Sequence, residues 1–467
     1  MRKVHVAHSP TQSEGIHRTS AIPVSTLRRN SVDIRRAAFM QSRTTKVLGF
    51  LVFAATVFPY LTPIPTPFDT QPYALVAAIL LVTHALTSLR LDLQIPRPVV
   101  VFAFVAAIAI VHFVTQVPSL GSLRSLVGYI SIVVISLAAY YSFLAVRPKV
   151  FVAFVFVWLA VATLQILVTR DFGSVVLSRM STSVERGITA LAVEPSYFAI
   201  CCVFMLMVND VLAMNDGYGR RVHRLVLVLL VLQIFMAASA LGFLLLLVYL
   251  GALLIAQRKV LGWVRVFGLG ALFTVAGAVA FAVVPSLAEG RAFSLTGRLA
   301  EHPETLIYAD GSIANRLLDV LVAPMGLVAS NGIGFGLDSW ILREESVIQG
   351  AGHFVQSLAA VDPGGVSVRL MSGWGAAIFE LGIFGILLLA AYALLAVEAV
   401  RRARDIKQKQ VALSSALTTF VLLIVAVPLA FPFFGYFIGI LFLFADGRFV
   451  GGANNAASSS GLFLREK

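Results

Sequence analysis

The sequence predicts an all-α polytopic membrane protein with about 12 transmembrane helices and one large outer loop. Three observations predict it. First, 59% of the 467 residues are hydrophobic and only 13% are charged, against about 25% charged in soluble domains. Mean hydropathy is +0.90. Second, the apolar runs are continuous rather than alternating, which excludes a β-barrel. Third, threading the runs as hairpins puts all seven lysines (Lys3, Lys46, Lys149, Lys259, Lys407, Lys409 and Lys467) on one side. The positive-inside rule makes that side cytoplasmic.

Residues 1–46 carry nine Lys/Arg against Glu14 and Asp33, more than half of the net +13. The segment is rich in Arg, Ser and Thr and has no long apolar run. We expect a disordered cytoplasmic tail lying against anionic headgroups. It is too long and polar for a secretory leader. The charge therefore does not read as nucleic-acid binding.

A span needs about 20 apolar residues. Twelve runs qualify, near 47–61, 73–89, 98–115, 123–146, 150–168, 189–213, 224–238, 241–256, 265–284, 373–398, 411–430 and 432–446. Residues 47–284 thus hold spans one to nine, and 373–446 hold the last three. A short inner tail, 447–467, follows. The seventh and eighth runs are either one stretch broken at Ala-Ala-Ser-Ala (237–240) or two short helices. Two helices keep the inner loops at 90–97, 147–149, 219–224, 257–259 and 401–409 all basic. Both termini are then inside.

Two outer loops are long, 169–188 and 285–372. The second holds nine acids, five arginines, two histidines and no lysine. It is too long for a plain connector. We expect helices lying on the membrane within it, one over 313–328. No internal repeat is visible, which argues against an inverted-repeat transporter.

The candidate site residues lie outside. Glu194 precedes Pro195 at the start of the sixth span. Such a carboxylate either faces the positive end of the helix dipole or lines a cavity. Arginines left outside by the threading are Arg124, Arg170, Arg179, Arg186, Arg291, Arg298, Arg316, Arg343 and Arg369. A guanidinium fork grips phosphate bidentately, whereas an ammonium acts as a point charge. Arg186 and Arg316 are the leading anion-binding candidates. Arg316 precedes Asn-Gly-Ile-Gly-Phe-Gly (331–336), whose alternate glycines let backbone approach a ligand closely.

His353, flanked by glycines, is either a surface residue or a general base. Glu380, in the tenth span, either packs against a polar neighbour or belongs to the site. Cys201 and Cys202 are the only cysteines and imply neither a disulfide nor a metal site. There is no P-loop, no metal-spaced His/Cys cluster and no Asp-x-Asp pair. No cofactor is expected.

Arg186-Gly-Ile-Thr-Ala-Leu-Ala-Val-Glu-Pro-Ser196 resembles the Arg…Gly…Glu-Pro-Ser signature of Wzy-type polysaccharide polymerases. Arg316 with the glycine run resembles the large outer loop of the wider O-antigen polymerase and ligase group. Residues 372–385 resemble the helix after that loop. The chain departs from the pattern at Ala190, where glycine is usual, and His353 lacks the His-Asn context of ligases.

The resemblance implies a GT-C-like arrangement in a bacterial inner membrane, with 285–372 as a periplasmic loop. It implies inverting, metal-independent transfer between undecaprenyl-diphosphate-linked oligosaccharides. Arg186 and Arg316, supported by Arg291 and Arg298, would hold the diphosphate. Glu194, with His353 as the alternative, would be the base. Ser196, Tyr197 and Glu380 would contact other parts of the substrate. A chain-length regulator and export machinery are the implied protein partners. The competing readings are an O-antigen ligase and a transporter of lipid-linked sugars.

Overall fold

The computed structural model describes residues 38–62, 70–89, 96–177, 180, 187–214, 218–257, 308, 311–361 and 369–447. Among these residues the chain is all-helical, without a strand; one isolated bridge joins Leu61 and Leu177. The helices are α1 (Arg43–Val57), α2 (Tyr73–Leu89), α3 (Arg97–Thr115), α4 (Leu120–Ser142), α5 (Pro148–Leu167), α6 (Pro195–Leu212), α7 (Arg220–Ala237), α8 (Ala240–Gln257), α9 (Gly311–Ala329), α10 (Trp340–Gln349), α11 (His353–Val361), α12 (Gly373–Leu381), α13 (Ile383–Arg402), α14 (Ile406–Val425) and α15 (Pro432–Ala445).

Among the described residues, seven helices are long and apolar enough to cross a membrane: α3, α4 with its 3-10 extension to Ala145, α5, α6, α9, α13 and α14. The apolar helices α2, α8 and α15 are shorter. The chain is a multi-pass membrane protein.

Local chemistry sets the starts of several helices. Ser42 caps α1 by accepting from the Thr45 N–H at 3.1 Å. Ser119 and Ser122 exchange bonds of 2.9 and 2.8 Å in a capping box that opens α4. Asp405 caps α14 through the Gln408 N–H. Proline stands in the first turn of α3, α5, α6 and α15, where its missing N–H costs nothing.

The bundle closes around α15, every residue of which is buried. Gly435 and Gly439, four apart, let it approach α4 closely. A Cβ at 439 would fall against the Ser136 carbonyl and Ala139. Small residues at this spacing are the usual means of close packing in lipid, where burial of apolar area drives little. In α6 every residue from Phe198 to Leu212 is buried; a helix apolar all round belongs inside a bundle.

The uncertain pair of runs is two helices. Ala238 adopts φ +44 between α7 and α8. His223 of α7 lies beside Asn209, and Met236 near the other end accepts from the Ile188 N–H. Gly242 of α8 abuts Ala199, and Tyr249 contacts Asp210. α7 therefore runs against α6, and α8 runs along it.

Three expectations need correction. The run 373–398 is two helices, because Gly382 at φ +59 breaks it. The Ile383 N–H there donates to the Gly332 carbonyl at 2.9 Å, and a Cβ on Gly382 would strike that carbonyl. The sixth run starts as a helix only at Pro195. Residues before it form a turn that Gln165 clamps: its Oε1 accepts from the Ala190 N–H (2.8 Å) and its Nε2 donates to the Ala190 carbonyl (3.1 Å). Finally, the described end of the 1–46 segment is already helical, over 38–41 and again from Arg43. Residues 1–37, the run 265–284 and residues 448–467 lie outside the described residues.

The loop region has its own core. Leu318, Val322, Trp340, Val347, Val355 and Phe379 form a cluster drawn from α9 to α12, separate from the bundle core. The expected helix over 313–328 is present as α9. By length and composition it is also one of the seven helices able to span a membrane.

Candidate functional site

The site begins with the glycine run. Asn331, Gly332, Gly334, Gly336 and Asp338 all have positive φ, between +53 and +93. Alternate left-handed residues favour glycine and flatten the chain against its neighbour. The neighbour is the α12–α13 junction, not a ligand. The Phe335 and Gly336 N–H groups donate to the Phe379 and Glu380 carbonyls, each at 2.9 Å. A Cβ at Gly334 would strike the Glu380 carbonyl. This docking carries the Asp338 N–H onto the Glu380 side chain.

Glu380 is 7% exposed. Its Oε1 accepts from Ser125 Oγ at 2.7 Å and from the Asp338 N–H at 2.9 Å. Its Oε2 accepts from the Tyr129 hydroxyl at 2.9 Å. A carboxylate oxygen can take two bonds, so among the described residues Oε2 keeps one lone pair for a further donor. Glu380 thus packs against polar neighbours, as one of its two alternatives expects, and it also lines a cavity.

That cavity lies between α4, α12 and the segment joining α14 to α15. Glu380, Asp338, Ser125 and Tyr129 line it, together with Arg124 and Arg369. A second cavity adjoins it, lined by Tyr60, Thr70, Gln71, Ser131, Tyr197 and Phe431. The two cavities share Arg124, Arg369, Pro428 and Ala430. Two guanidinium groups thus stand where the two cavities meet.

Asp338 sits within electrostatic reach of both arginines and accepts from the Ser119 hydroxyl. Burial holds its carboxyl above the usual carboxylate range, and the Arg124 and Arg369 charges pull it partly back. The capping box explains how Arg124 reaches the site. It starts α4 at Leu120, so Arg124, Ser125 and Tyr129 project from its first turns.

The sequence candidates divide. Glu380 and Tyr197 line the two cavities. Glu194 is the N-cap of α6, but its side chain takes no bond from the helix N–H groups. Its Oε2 accepts from Ser196 Oγ at 3.4 Å. It is flanked by two lining residues, Val193 and Tyr197, without lining the cavity itself. Arg316 is half-buried on α9, near Asp319, and lines neither cavity. Its Nη1 is buried without a hydrogen-bond partner among the described residues. His353 is exposed at the start of α11, outside both cavities. Arg186, Arg291 and Arg298 lie outside the described residues.

The sequence marks Arg124 and Arg369 only as two outer arginines among several, and gives no sign of Asp338, Ser125, Tyr129 or Phe431. The one usable signal was the Ser-x-x-Ser cap, which draws Arg124 into the first turns of an apolar helix, where a charge is costly without a role. Among the described residues no group of three or more His, Cys, Asp or Glu side chains gathers where a metal could bind. Comparison with protein-family models, with curated proteins and with solved structures finds no match.

Proposed function

We propose that this chain is a glycosyltransferase of the Wzy polysaccharide-polymerase type. It joins undecaprenyl-diphosphate-linked repeat units at the periplasmic face of a bacterial inner membrane. The observation that carries the reading is the arginine pair, Arg124 and Arg369, shared by two adjoining cavities beside Glu380 and Asp338. The twelve-span topology with both termini cytoplasmic, and the GT-C-like arrangement, belong to the same proposal. They rest on the basic inner loops and on the resemblance at 186–196.

The chemistry is one inverting displacement. The acceptor hydroxyl oxygen attacks the anomeric carbon of the donor glycan. The bond from that carbon to the diphosphate oxygen breaks, and the new glycosidic bond forms on the opposite face. Glu380, through the lone pair left on Oε2, takes the acceptor proton. Arg124 and Arg369 stabilise the charge that grows on the departing diphosphate; such preorganised cations act where charge develops. Tyr129, Ser125 and the Asp338 N–H hold the Glu380 carboxylate in place. Glu194 and the arginines 186, 291, 298 and 316 remain candidates for orienting the acceptor and for further phosphate contact, and His353 for the base.

The test is to delete the gene in its host and size both the surface polysaccharide and the lipid-linked intermediates. A polymerase leaves single repeat units on undecaprenyl diphosphate when it is lost. Full-length polymer stranded on the lipid carrier would point to a ligase instead. Unchanged polysaccharide would overturn the transferase reading.

A further inference from the structure

The two carboxylates beside the arginine pair are not held alike. Glu380 is held by neutral donors, Ser125, Tyr129 and the Asp338 N–H. Asp338 instead feels the Arg124 and Arg369 charges, together with the Ser119 hydroxyl, while its charge and that of Glu380 repel. Of the two acids, Asp338 is therefore the counter-ion of the guanidinium groups.

Its seat on α4 is built for it. Gly121 stands in the first turn of that helix, and a Cβ there would fall on the Asp338 carboxylate; its three nearest neighbours would all be atoms of that one group. The carboxylate thus lies directly against the helix backbone, in the stretch that carries Arg124. Asp338 itself is half-buried, with φ +57, a conformation that Asp and Asn tolerate better than most side chains. Rotation of its short side chain between staggered positions can carry the carboxylate off Gly121. The backbone N–H that binds Glu380 stays where it is.

We propose that the Asp338 carboxylate is a built-in competitor, which occupies the anion position at Arg124 and Arg369 and must leave when the substrate diphosphate enters. The inference rests on the reading of the arginine pair as the diphosphate site and adds how that site is regulated. A tethered group competes at high effective concentration, so it lowers the affinity of every arriving anion by one common factor. Weakly held anions, such as the single phosphate of an ordinary lipid headgroup, then fall below occupancy. A tightly held diphosphate still binds.

The test is calorimetric titration of the full chain in detergent with two probes: inorganic pyrophosphate, and dimethyl phosphate, a diester with a single charge. Asp338→Asn keeps a residue suited to positive φ. It should tighten both probes about tenfold, a difference of about 1.4 kcal/mol, with the two factors within about threefold of each other. Gly121→Ala keeps the carboxylate in the chain but puts a methyl group where it lies, and should tighten both probes likewise. Unchanged or weaker binding in Asp338→Asn overturns the proposal. So does a pyrophosphate gain far larger than the dimethyl phosphate gain, the mark of repulsion from a distance by a group that never held the position. Unchanged binding in a folded Gly121→Ala protein overturns it too. Adding Arg124→Gln to Asp338→Asn tells these failures from failure of the site itself. It should weaken both probes; if it has no effect, or if neither probe binds any of these proteins, the arginine pair is no anion site and the proposed function loses its support.

Discussion

Two buried acids invite comparison. Glu380 and Asp210 each sit deep in the bundle, at 7% and 9% exposure, and each is met by a tyrosine hydroxyl, from Tyr129 and Tyr249 respectively. Their surroundings then diverge. Asp210, near the far end of α6, is enclosed by packed partners. His223 Nε2 lies 3.7 Å away, and Asn209 next to it binds both His223 and the Tyr218 hydroxyl. Lys407 closes that end by donating to the Ala213 carbonyl at 2.8 Å, a favourable place for a cation at a helix C-terminus. Glu380 instead faces a cavity with two arginines on its wall. Burial and a tyrosine partner are common to both, so neither marks a reaction centre. Reachable space beside positive charge is what separates them.

The largest expected effect breaks this contrast if it fails. Arg124→Gln and Arg369→Gln should each lower transfer about 10²–10³-fold, the usual loss when one charge-stabilising donor is removed. Thermal stability in detergent should change little. Equal loss in Asp210→Asn, measured per folded molecule, would mean that the enclosed acid also takes part.

Next, Glu380→Gln should lower turnover about 10²–10⁴-fold, the range for loss of a general base, with little change in diphosphate affinity. Activity in that variant within threefold of the unaltered protein would return the base role to Glu194 or His353. A single-turnover assay on Glu194→Gln and His353→Ala would then decide between them.

A smaller effect concerns pH. An anion bound at the arginines favours the protonated form of Asp338, whose carboxyl burial already holds above the usual range. Pyrophosphate should therefore bind more tightly as pH falls towards that carboxyl's range. Asp338→Asn should flatten this dependence to that of pyrophosphate's own protonation. An identical pH profile in both proteins would remove Asp338 from the anion's surroundings.

The two smallest effects are on stability alone. Asp210→Asn leaves the Tyr249 and His223 partners with a weaker acceptor and should cost about 1–3 kcal/mol, with specific activity kept. Ala190→Gly should stabilise by about 1 kcal/mol, because φ +48 carries a Cβ penalty that glycine lacks. Urea or thermal midpoints read both.

Much of the helical layout was legible because apolar runs of membrane length have few other fates. The Ala-Ala-Ser-Ala break and the loop helix over 313–328 were visible for the same reason. The break at Gly382 was not, since it comes from a bond between Ile383 and the distant Gly332, while the local pattern reads as continuous helix. The same holds for the site. Glu380 meets Ser125 and Tyr129 across 255 and 251 positions of sequence, and no local spacing announces such a meeting. The alternate glycines looked like a place for a ligand. Their left-handed backbone serves instead to press one chain segment on another and so to fix a carboxylate. Ala190 shows the reverse case: its φ of +48 favours glycine, yet the chain carries alanine there.

Phe379 and Glu380 are consecutive and both line the cavity, and Phe379 also belongs to the core formed by α9 to α12. One turn of α12 thus ties that core to the Glu380 carboxylate. A compound or antibody that grips the exposed surface of α10 or α11 and shifts that core would move the proposed base without entering the cavity. On the proposed function, inhibition at a distance from the cavity would follow from that one connection.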